Sequence, residues 1–281
     1  MKKKCLVAWF KSSGIIGLYL IINMLAIIGT TVYLSFYNDN FYRIMYSIFM
    51  ENGDYNQIYD LIAYLVAPTT TITGITIILI YIIKSLVQRK CTIKKISFKT
   101  VLLLISIGYV SNMIITFIVE ALPKSLTTSA YADSISLALS NDNFIYLLIS
   151  TGIAAPILEE IIFRDWIFHS WSKINLVLAM IISSLFFGTA HMNLIQGSYA
   201  FLLGLFFAYV NYKFGSILPG IIMHLTVNSS SVILDYFPVC AKYWYIPFII
   251  CSIYIIYTIW INKEKIITKI QTKYFLKQTN V

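Results

Sequence analysis

Two adjacent carboxylates interrupt an otherwise apolar segment of this chain. Glu159 and Glu160 lie within APILEEIIFRDW, residues 155–166. An ionisable side chain at the centre of a membrane helix costs about 2.5 to 3.5 kcal/mol on insertion scales, and such residues usually belong to a functional site. A carboxylate in an apolar setting is also a stronger base, because burial disfavours the anion, and it can take a proton from water near neutral pH. Glu159 is therefore the candidate general base.

Two histidines and an amide follow these carboxylates. His191 ends the pattern Phe187-x-x-x-His191, and His224 lies four residues before Asn228, on the same face of a helix. Imidazole and carboxamide groups can donate hydrogen bonds to the oxyanion of a tetrahedral intermediate, so we expect this role for His224 and Asn228. His191 is expected to orient the water together with Glu159. The whole set predicts hydrolysis by an activated water, with a peptide carbonyl as the target.

Each of these patterns also has a purely structural explanation. Glu160 and Arg164 are one helical turn apart, and we expect them to form an ion pair near the inner membrane interface, which leaves Glu159 without a partner. His191 alone fits a buried, hydrogen-bonded histidine. His224 and its neighbouring amide fit the polar contacts that hold membrane helices together. The hydrolytic interpretation depends on all of these residues falling on neighbouring spans.

The segments that must position these residues are membrane helices. Of the 281 residues, 59% are hydrophobic and only 12% are charged, well outside the composition of soluble domains. Because about 20 apolar residues cross a bilayer, the sequence predicts an all-α, polytopic protein of about eight transmembrane helices in a single membrane domain, residues 1–281. It is expected to be a multi-pass protein of the cell membrane. The predicted spans are residues 12–36, 58–83, 100–122, 143–163, 174–191, 197–212, 216–234 and 243–262.

The basic residues predict the orientation of these helices. Most of the 21 basic residues fall on one side of the proposed spans. The exceptions are Arg43, Lys124 and Lys242. Because basic loops stay in the cytoplasm, both termini and the loop 84–99 are expected inside, and the loops 38–54 and 125–140 outside. The net charge of +9 indicates a lipid bilayer with an anionic inner leaflet as a partner and no nucleic acid, because the basic residues flank membrane segments.

Three segments resemble, in order, the core of a known protease family. They are EEIIFRDW, FGTAH and GLFFAYVNYKFGSILPGIIMHLTVN. They look like the CPBP family of intramembrane proteases, also called the CAAX protease or Abi family. That family includes prenyl-protein endopeptidases and bacterial relatives tied to bacteriocin or peptide-pheromone processing and immunity. The resemblance covers residues 143–234. Residues 1–142 hold three helices without a recognised motif, and residues 235–281 hold the last helix and a basic tail.

The resemblance implies roles for individual residues. The implied catalytic residues are Glu159, His191, His224 and Asn228, with Glu160 and Arg164 in support. Asp165 stands where many relatives have glycine, which leaves the catalytic positions intact. The implied function is an intramembrane endopeptidase that cleaves membrane-anchored proteins or small peptides with a water activated by glutamate.

The cofactor and the physiological role stay open at this point. Glu159, His191 and His224 have the composition of some catalytic zinc sites, but the chain has no HExxH pair and the three ligands would come from separate helices. A metal-free mechanism is favoured, with zinc as the alternative. A non-proteolytic bacteriocin-immunity or binding protein of the same fold, or a secondary transporter, is the alternative function. A chain rich in Ile, Lys and Asn is typical of an AT-rich bacterial genome, which favours a leader peptide, pheromone precursor or bacteriocin over a prenylated substrate.

Overall fold

The computed structural model describes residues 2–50, 55–88, 93–123 and 143–278. These ranges are almost entirely helical and contain no strand, which confirms the predicted all-α, polytopic fold. The expected outer loop 125–140, and residues 51–54 and 89–92 of the other two expected loops, lie outside the described residues. The helices are α1 Lys2–Tyr37, α2 Asp39–Met50, α3 Tyr55–Gln88, α4 Phe98–Glu120, α5 Phe144–Ser172, α6 Leu176–Ala190, α7 Leu194–Phe214, α8 Leu218–Tyr236, α9 Pro238–Lys242 and α10 Tyr245–Gln278.

Each of the eight predicted spans corresponds to a helix, and within the described residues six of these helices are long and apolar enough to cross a membrane. Those six are α1, α3, α4, α5, α7 and α10. The other two predicted spans correspond to α6, which has only 15 residues, and α8, whose 19 residues include His224, Asn228 and three consecutive serines. The polar site residues therefore lower the hydropathy of α8. The protein is a multi-pass membrane protein.

The helix that contains the fourth predicted span is longer than the predicted span, which ends at residue 163. α5 continues to Ser172, through the polar residues that suggested a boundary. Arg164 is only 2% exposed, so its ion pair with Glu160 lies in the protein interior. The depth of this pair in the membrane stays a prediction. The cytoplasmic position of both termini stays a prediction.

Short turns bring the helices of the second half together. The side-chain carbonyls of Asn143, Asn175 and Asn193 each accept a hydrogen bond from a backbone N–H two or three residues later, at 2.9 to 3.2 Å, and so begin α5, α6 and α7. α7 ends at Gly215, whose φ of +58° is a left-handed conformation that favours glycine. Pro219 lies in the first turn of α8. The helices from α5 to α8 therefore pack as antiparallel neighbours.

α5 and α8 occupy the middle of the bundle. α1 and α3 pack on α5, α4 packs on α8 and on α10, and α6 pairs with α7. Two facing glycines allow α6 and α7 to approach closely, since a Cβ on Gly188 would be 2.6 Å from the Gly197 carbonyl oxygen. The N-terminal helix is tied to the end of α5, where the Trp171 indole donates to the Ser12 hydroxyl at 3.0 Å.

Candidate active site

α5 carries the two carboxylates and is not a regular α-helix. Leu148–Ala154 and Glu160–Ile167 are π-helical, and Ala155–Glu159 between them is α-helical. Such π-helical turns are rare and frequently occur at functional sites. Consecutive residues on a helix point about 100° apart, so Glu159 and Glu160, at the junction of two of these stretches, face different neighbours.

Glu160 belongs to a closed polar cluster. Its side chain is 0% exposed, and its Oε1 lies 3.5 Å from Nε of Arg164, so the expected ion pair is present. The Asn211 amide donates to Oε2 at 3.0 Å, and the Gly220 N–H donates to the side-chain oxygen of Asn211 at 2.6 Å. Asn211 lies on α7 and Gly220 on α8. The cluster therefore fixes three helices around one carboxylate.

The Arg164 guanidinium faces aromatic rings. Its Cζ lies 4.2 Å from the centre of the Phe187 ring, 5.9 Å from that of Phe163 and 6.0 Å from that of Phe207. Within the described part of the chain, its three nitrogens make no hydrogen bond. Compensation of this buried charge therefore comes from the Glu160 carboxylate and from the faces of the rings.

His224 lies between the two glutamates. Its Nδ1 is 3.4 Å from Oε1 of Glu160, and its Nε2 is 3.4 Å from Oε2 of Glu159. The imidazole also packs against the rings of Phe187 and Phe207, with centroid distances of 5.4 and 5.3 Å. Glu159 therefore has a partner, contrary to the expectation from sequence. The histidine connects the two carboxylates across the interface between α5 and α8.

Glu159 differs from its neighbour in that it borders open space. Its side chain is 24% exposed, and it lines a small cavity of about 60 Å³ together with His191, Tyr19 and four apolar residues. Nδ1 of His191 lies 2.8 Å from the Phe187 carbonyl oxygen. Because a carbonyl oxygen can only accept, Nδ1 carries the hydrogen and Nε2 keeps a lone pair for another partner.

A second, larger cavity lies next to the small one. It has a volume of about 390 Å³ and is lined by His191, His224 and Asn228, with further residues from α4, α5 and α7. This volume falls in the range of about 300 to 1,000 Å³ that is typical of ligand pockets. His191 borders both cavities. The structure thus brings the four candidate catalytic residues to two adjoining spaces.

Asn228 is held by the backbone of α5. Its carboxamide donates to the carbonyl oxygen of Thr151 at 3.1 Å. The N–H of Ala155 bonds to the carbonyl of Ser150 in the π-helical register, and the next residue, Pro156, has no N–H. The Thr151 carbonyl is thereby left without these two helical donors, and the Asn228 side chain takes their place. One N–H of the Asn228 amide is used in this bond, and the amide has a second.

The predicted zinc ligands do not fit a zinc site as they are placed. Among the residues that the structure describes, no three His, Cys, Asp or Glu side chains are close enough to hold one metal ion. Each nitrogen of His224 lies 3.4 Å from a carboxylate oxygen, Nδ1 from Glu160 and Nε2 from Glu159. The alternative set Glu159, His191 and His224 is therefore not assembled as a three-ligand centre.

Three participating residues were not found from the sequence. Asn211 is followed by Tyr212 and Lys213. These residue types are typical of a membrane interface, so the sequence suggests an interfacial position for Asn211. Its place within the third family-like segment was the available signal. Gly220 lies in the same segment, but it contributes only its backbone N–H, which its residue type does not indicate. Tyr19 is one of 21 tyrosines and lies on a helix without a motif.

Comparison with known proteins supports the resemblance seen in the motifs. Residues 141–230 match the family model described as "Type II CAAX prenyl endopeptidase Rce1-like". This part of the chain is therefore similar to the CPBP family. The matched residues include all four candidate catalytic residues, whereas α1 to α4 lie outside the match.

One curated relative gives the same indication. A protein of Bacillus subtilis (strain 168), named "Putative membrane peptidase YdiL", is 37% identical over 94 residues, which make up 33% of this chain and 38% of that protein. The similarity therefore spans well under half of the relative. No solved structure matches the chain. At the level of the family, the second half of the chain is similar to membrane peptidases.

Proposed function

We propose that the protein is an intramembrane endopeptidase in which Glu159 activates the attacking water. The observation that carries this proposal is the difference between the two neighbouring carboxylates. Glu160 is fully buried and bonded to Asn211, whereas Glu159 is partly exposed and borders the small cavity with His191. A general base must reach the proton that it removes, and only Glu159 has space beside it for a water.

In the proposed reaction, Glu159 removes a proton from water as the water oxygen bonds to the peptide carbonyl carbon. The carbonyl electron pair moves to oxygen, and the resulting oxyanion accepts hydrogen bonds from Asn228 and from His224, which turns its Nε2–H away from Glu159. When the intermediate collapses, the C–N bond breaks and Glu159 passes its proton to the leaving nitrogen. The products are a carboxylic acid and an amine, so the atoms of one water are accounted for.

We propose that this reaction needs no metal ion, because the three side chains that would bind zinc do not lie together around one point. The test is to measure zinc in the purified full-length protein and the activity of the same sample. We expect full activity with far less than one zinc per molecule, and no reversible loss with a chelator. One tightly bound zinc per active molecule, lost in Glu159→Gln, would overturn the metal-free mechanism.

We propose small peptides, such as a leader peptide, a pheromone precursor or a bacteriocin, as the substrate class. The larger cavity is of a size to take a peptide segment. To test the function, the peptides of cells that lack the protein are compared with those of cells that carry the natural chain or Glu159→Gln. Peptides made only with the natural chain are the expected products, and cleavage in ¹⁸O-water should place the label in the new carboxylate.

The same variant separates the alternative functions. An immunity or binding protein of this fold should protect cells equally well with Glu159→Gln, and a transporter should show gradient-dependent uptake in vesicles. If Glu159→Gln gives the same peptides as the natural chain, the endopeptidase proposal fails.

A further inference from the structure

The small cavity beside Glu159 is formed by three helices, one of which lies outside the region that matches the family. Tyr19 comes from α1, Glu159 from α5 and His191 from the end of α6. These three side chains carry the polar groups, and the remaining wall is apolar, made by Leu158, Ile162, Phe163 and Ala190. Because a water molecule takes about 30 Å³ in the liquid, the cavity volume of about 60 Å³ leaves room for one or two waters.

A buried water is retained where two to four polar groups can bond to it, and this cavity provides such groups. Nε2 of His191 is left as an acceptor, because Nδ1 donates to the Phe187 carbonyl. The Glu159 carboxylate is a second acceptor. The phenol of Tyr19 lines the same cavity as Glu159 and His191, and its hydroxyl is the one donor among the three groups.

The position of Tyr19 is fixed by the docking of α1. Ser12 lies seven residues before Tyr19, which is about two helical turns, so both side chains are on the same face of α1. Ser12 is fully buried and accepts a hydrogen bond from the Trp171 indole at 3.0 Å. Trp9 packs edge to face against Trp171, with ring centroids 6.5 Å apart. These contacts hold the register of α1 against α5 and turn Tyr19 toward the cavity.

We propose that the small cavity binds the water that Glu159 deprotonates, and that Tyr19 is a positioning residue for that water. The water oxygen accepts the Tyr19 hydroxyl hydrogen, and its two hydrogens point to Glu159 and to Nε2 of His191. One lone pair then remains for the substrate carbonyl. Because His191 also borders the larger cavity, the water and the peptide meet at this residue. This inference rests on the proposed endopeptidase function.

The first test is Tyr19→Phe, which removes the hydroxyl and keeps the ring that packs in the core. A single neutral hydrogen bond is worth up to a factor of about ten, so we expect kcat to fall about tenfold with unchanged KM, unchanged cleavage site and unchanged thermal stability. The matched control is Tyr33→Phe on the same helix, where the side chain is 60% exposed and no change is expected. Unchanged kcat in Tyr19→Phe, or a change in KM or stability instead, overturns the positioning role.

A second measurement does not depend on activity. A structure of the purified protein at a resolution that shows waters should contain a water bonded to Tyr19, Glu159 and His191, and that water should be lost or displaced in Tyr19→Phe. An empty cavity overturns the inference, even if Glu159→Gln is inactive and the endopeptidase function stands. If Glu159→Gln keeps full activity, the proposed function itself is wrong, whatever the cavity contains.

Discussion

The two sides of the His224 ring have opposite surroundings. On the closed side, which consists of Glu160, Arg164, Asn211 and Gly220, the side chains of Glu160 and Arg164 are fully buried and each group contacts another member of the cluster. On the open side, Glu159 borders the small cavity and His191 borders both cavities. Two identical carboxyl groups, adjacent in sequence, thus receive different roles from their neighbours. The Glu160 carboxylate is bonded to its neighbours and stabilises the packing of the helices. The Glu159 carboxylate borders open space, where a water could reach it.

The largest effect should come from the open side. Glu159→Gln keeps the size of the side chain but removes its basicity, and general-base catalysis is worth about 10² to 10⁴ in rate. We expect turnover to fall by at least this factor, while the melting temperature of the purified protein stays within error of the natural chain. A folded Glu159→Gln variant with normal turnover would contradict the difference between the two sides.

Asn228→Ala should reduce turnover by about 10²- to 10³-fold and leave measurable activity, because one oxyanion donor is lost. Asn228 also ties α8 to the backbone of α5 at Thr151. The matched control is Ser229→Ala, since the Ser229 hydroxyl makes the corresponding tie to the Gly152 carbonyl at 3.1 Å without lining the larger cavity. Kinetics of both variants test this prediction, and equal losses in the two would make Asn228 a structural residue only.

On the closed side, Glu160→Gln should affect stability more than chemistry. It leaves the buried Arg164 cation without its counter-charge, and breaking a buried ion pair in this way costs about 3 to 5 kcal/mol. We expect a low yield of folded protein, measured by size-exclusion chromatography after detergent extraction, with turnover per folded molecule largely kept. Adding Arg164→Met should restore part of the yield, because the unpaired charge is then removed as well.

The opposite result for the two glutamates is equally informative. If Glu160→Gln is fully folded and inactive while Glu159→Gln is active, the roles of the two carboxylates have been assigned the wrong way round. His224 contacts both carboxylates. In that case its Nδ1, which faces Glu160, would take part in the reaction in place of Nε2.

The smallest effect is expected for Gly220→Ala, also on the closed side. A Cβ at this position would lie 2.6 Å from Oε2 of Glu160 and even closer to the Asn211 amide, so the cluster must shift. Such overpacking costs about 1 to 3 kcal/mol. The control is Gly17→Ala on α1, where a Cβ meets no atom within 4 Å and no loss is expected. Thermal unfolding of the two purified variants measures the difference, and equal melting temperatures would show that the closed side tolerates the added methyl group.

Hydropathy was sufficient to predict the helices but not all of their ends. The end of α5 was missed because Arg164, Asp165 and His169 are polar, and a hydropathy profile assigns polar residues to water. In the structure Arg164 is covered by α6 and α7 through Phe187 and Phe207, contacts that hydropathy does not contain. The π-helical stretches were not predictable either, since they have no local sequence signature.

Site prediction succeeded where residue type was unusual for a membrane segment. Glu159 and His224 stood out for this reason, and the structure places them 3.4 Å apart. It failed where a contribution depends on tertiary position alone, as with the Gly220 N–H and the Tyr19 phenol. Pro156 is partly predictable. The sequence shows that Pro156 has no N–H, but it does not show that the Asn228 side chain, more than 70 residues later, donates to the Thr151 carbonyl instead.

The ion pair of the closed side also bears on how the protein is made. Glu160 and Arg164 lie on the same helix, one turn apart, so they can neutralise each other as soon as α5 leaves the ribosome and enters the translocon. Each charge alone would oppose insertion by about 2.5 to 3.5 kcal/mol. Asn211 and His224 arrive only with the later helices. Assembly of the closed side can therefore begin within one helix during synthesis. Glu159, in contrast, can contact His224 only after α8 has entered the bilayer.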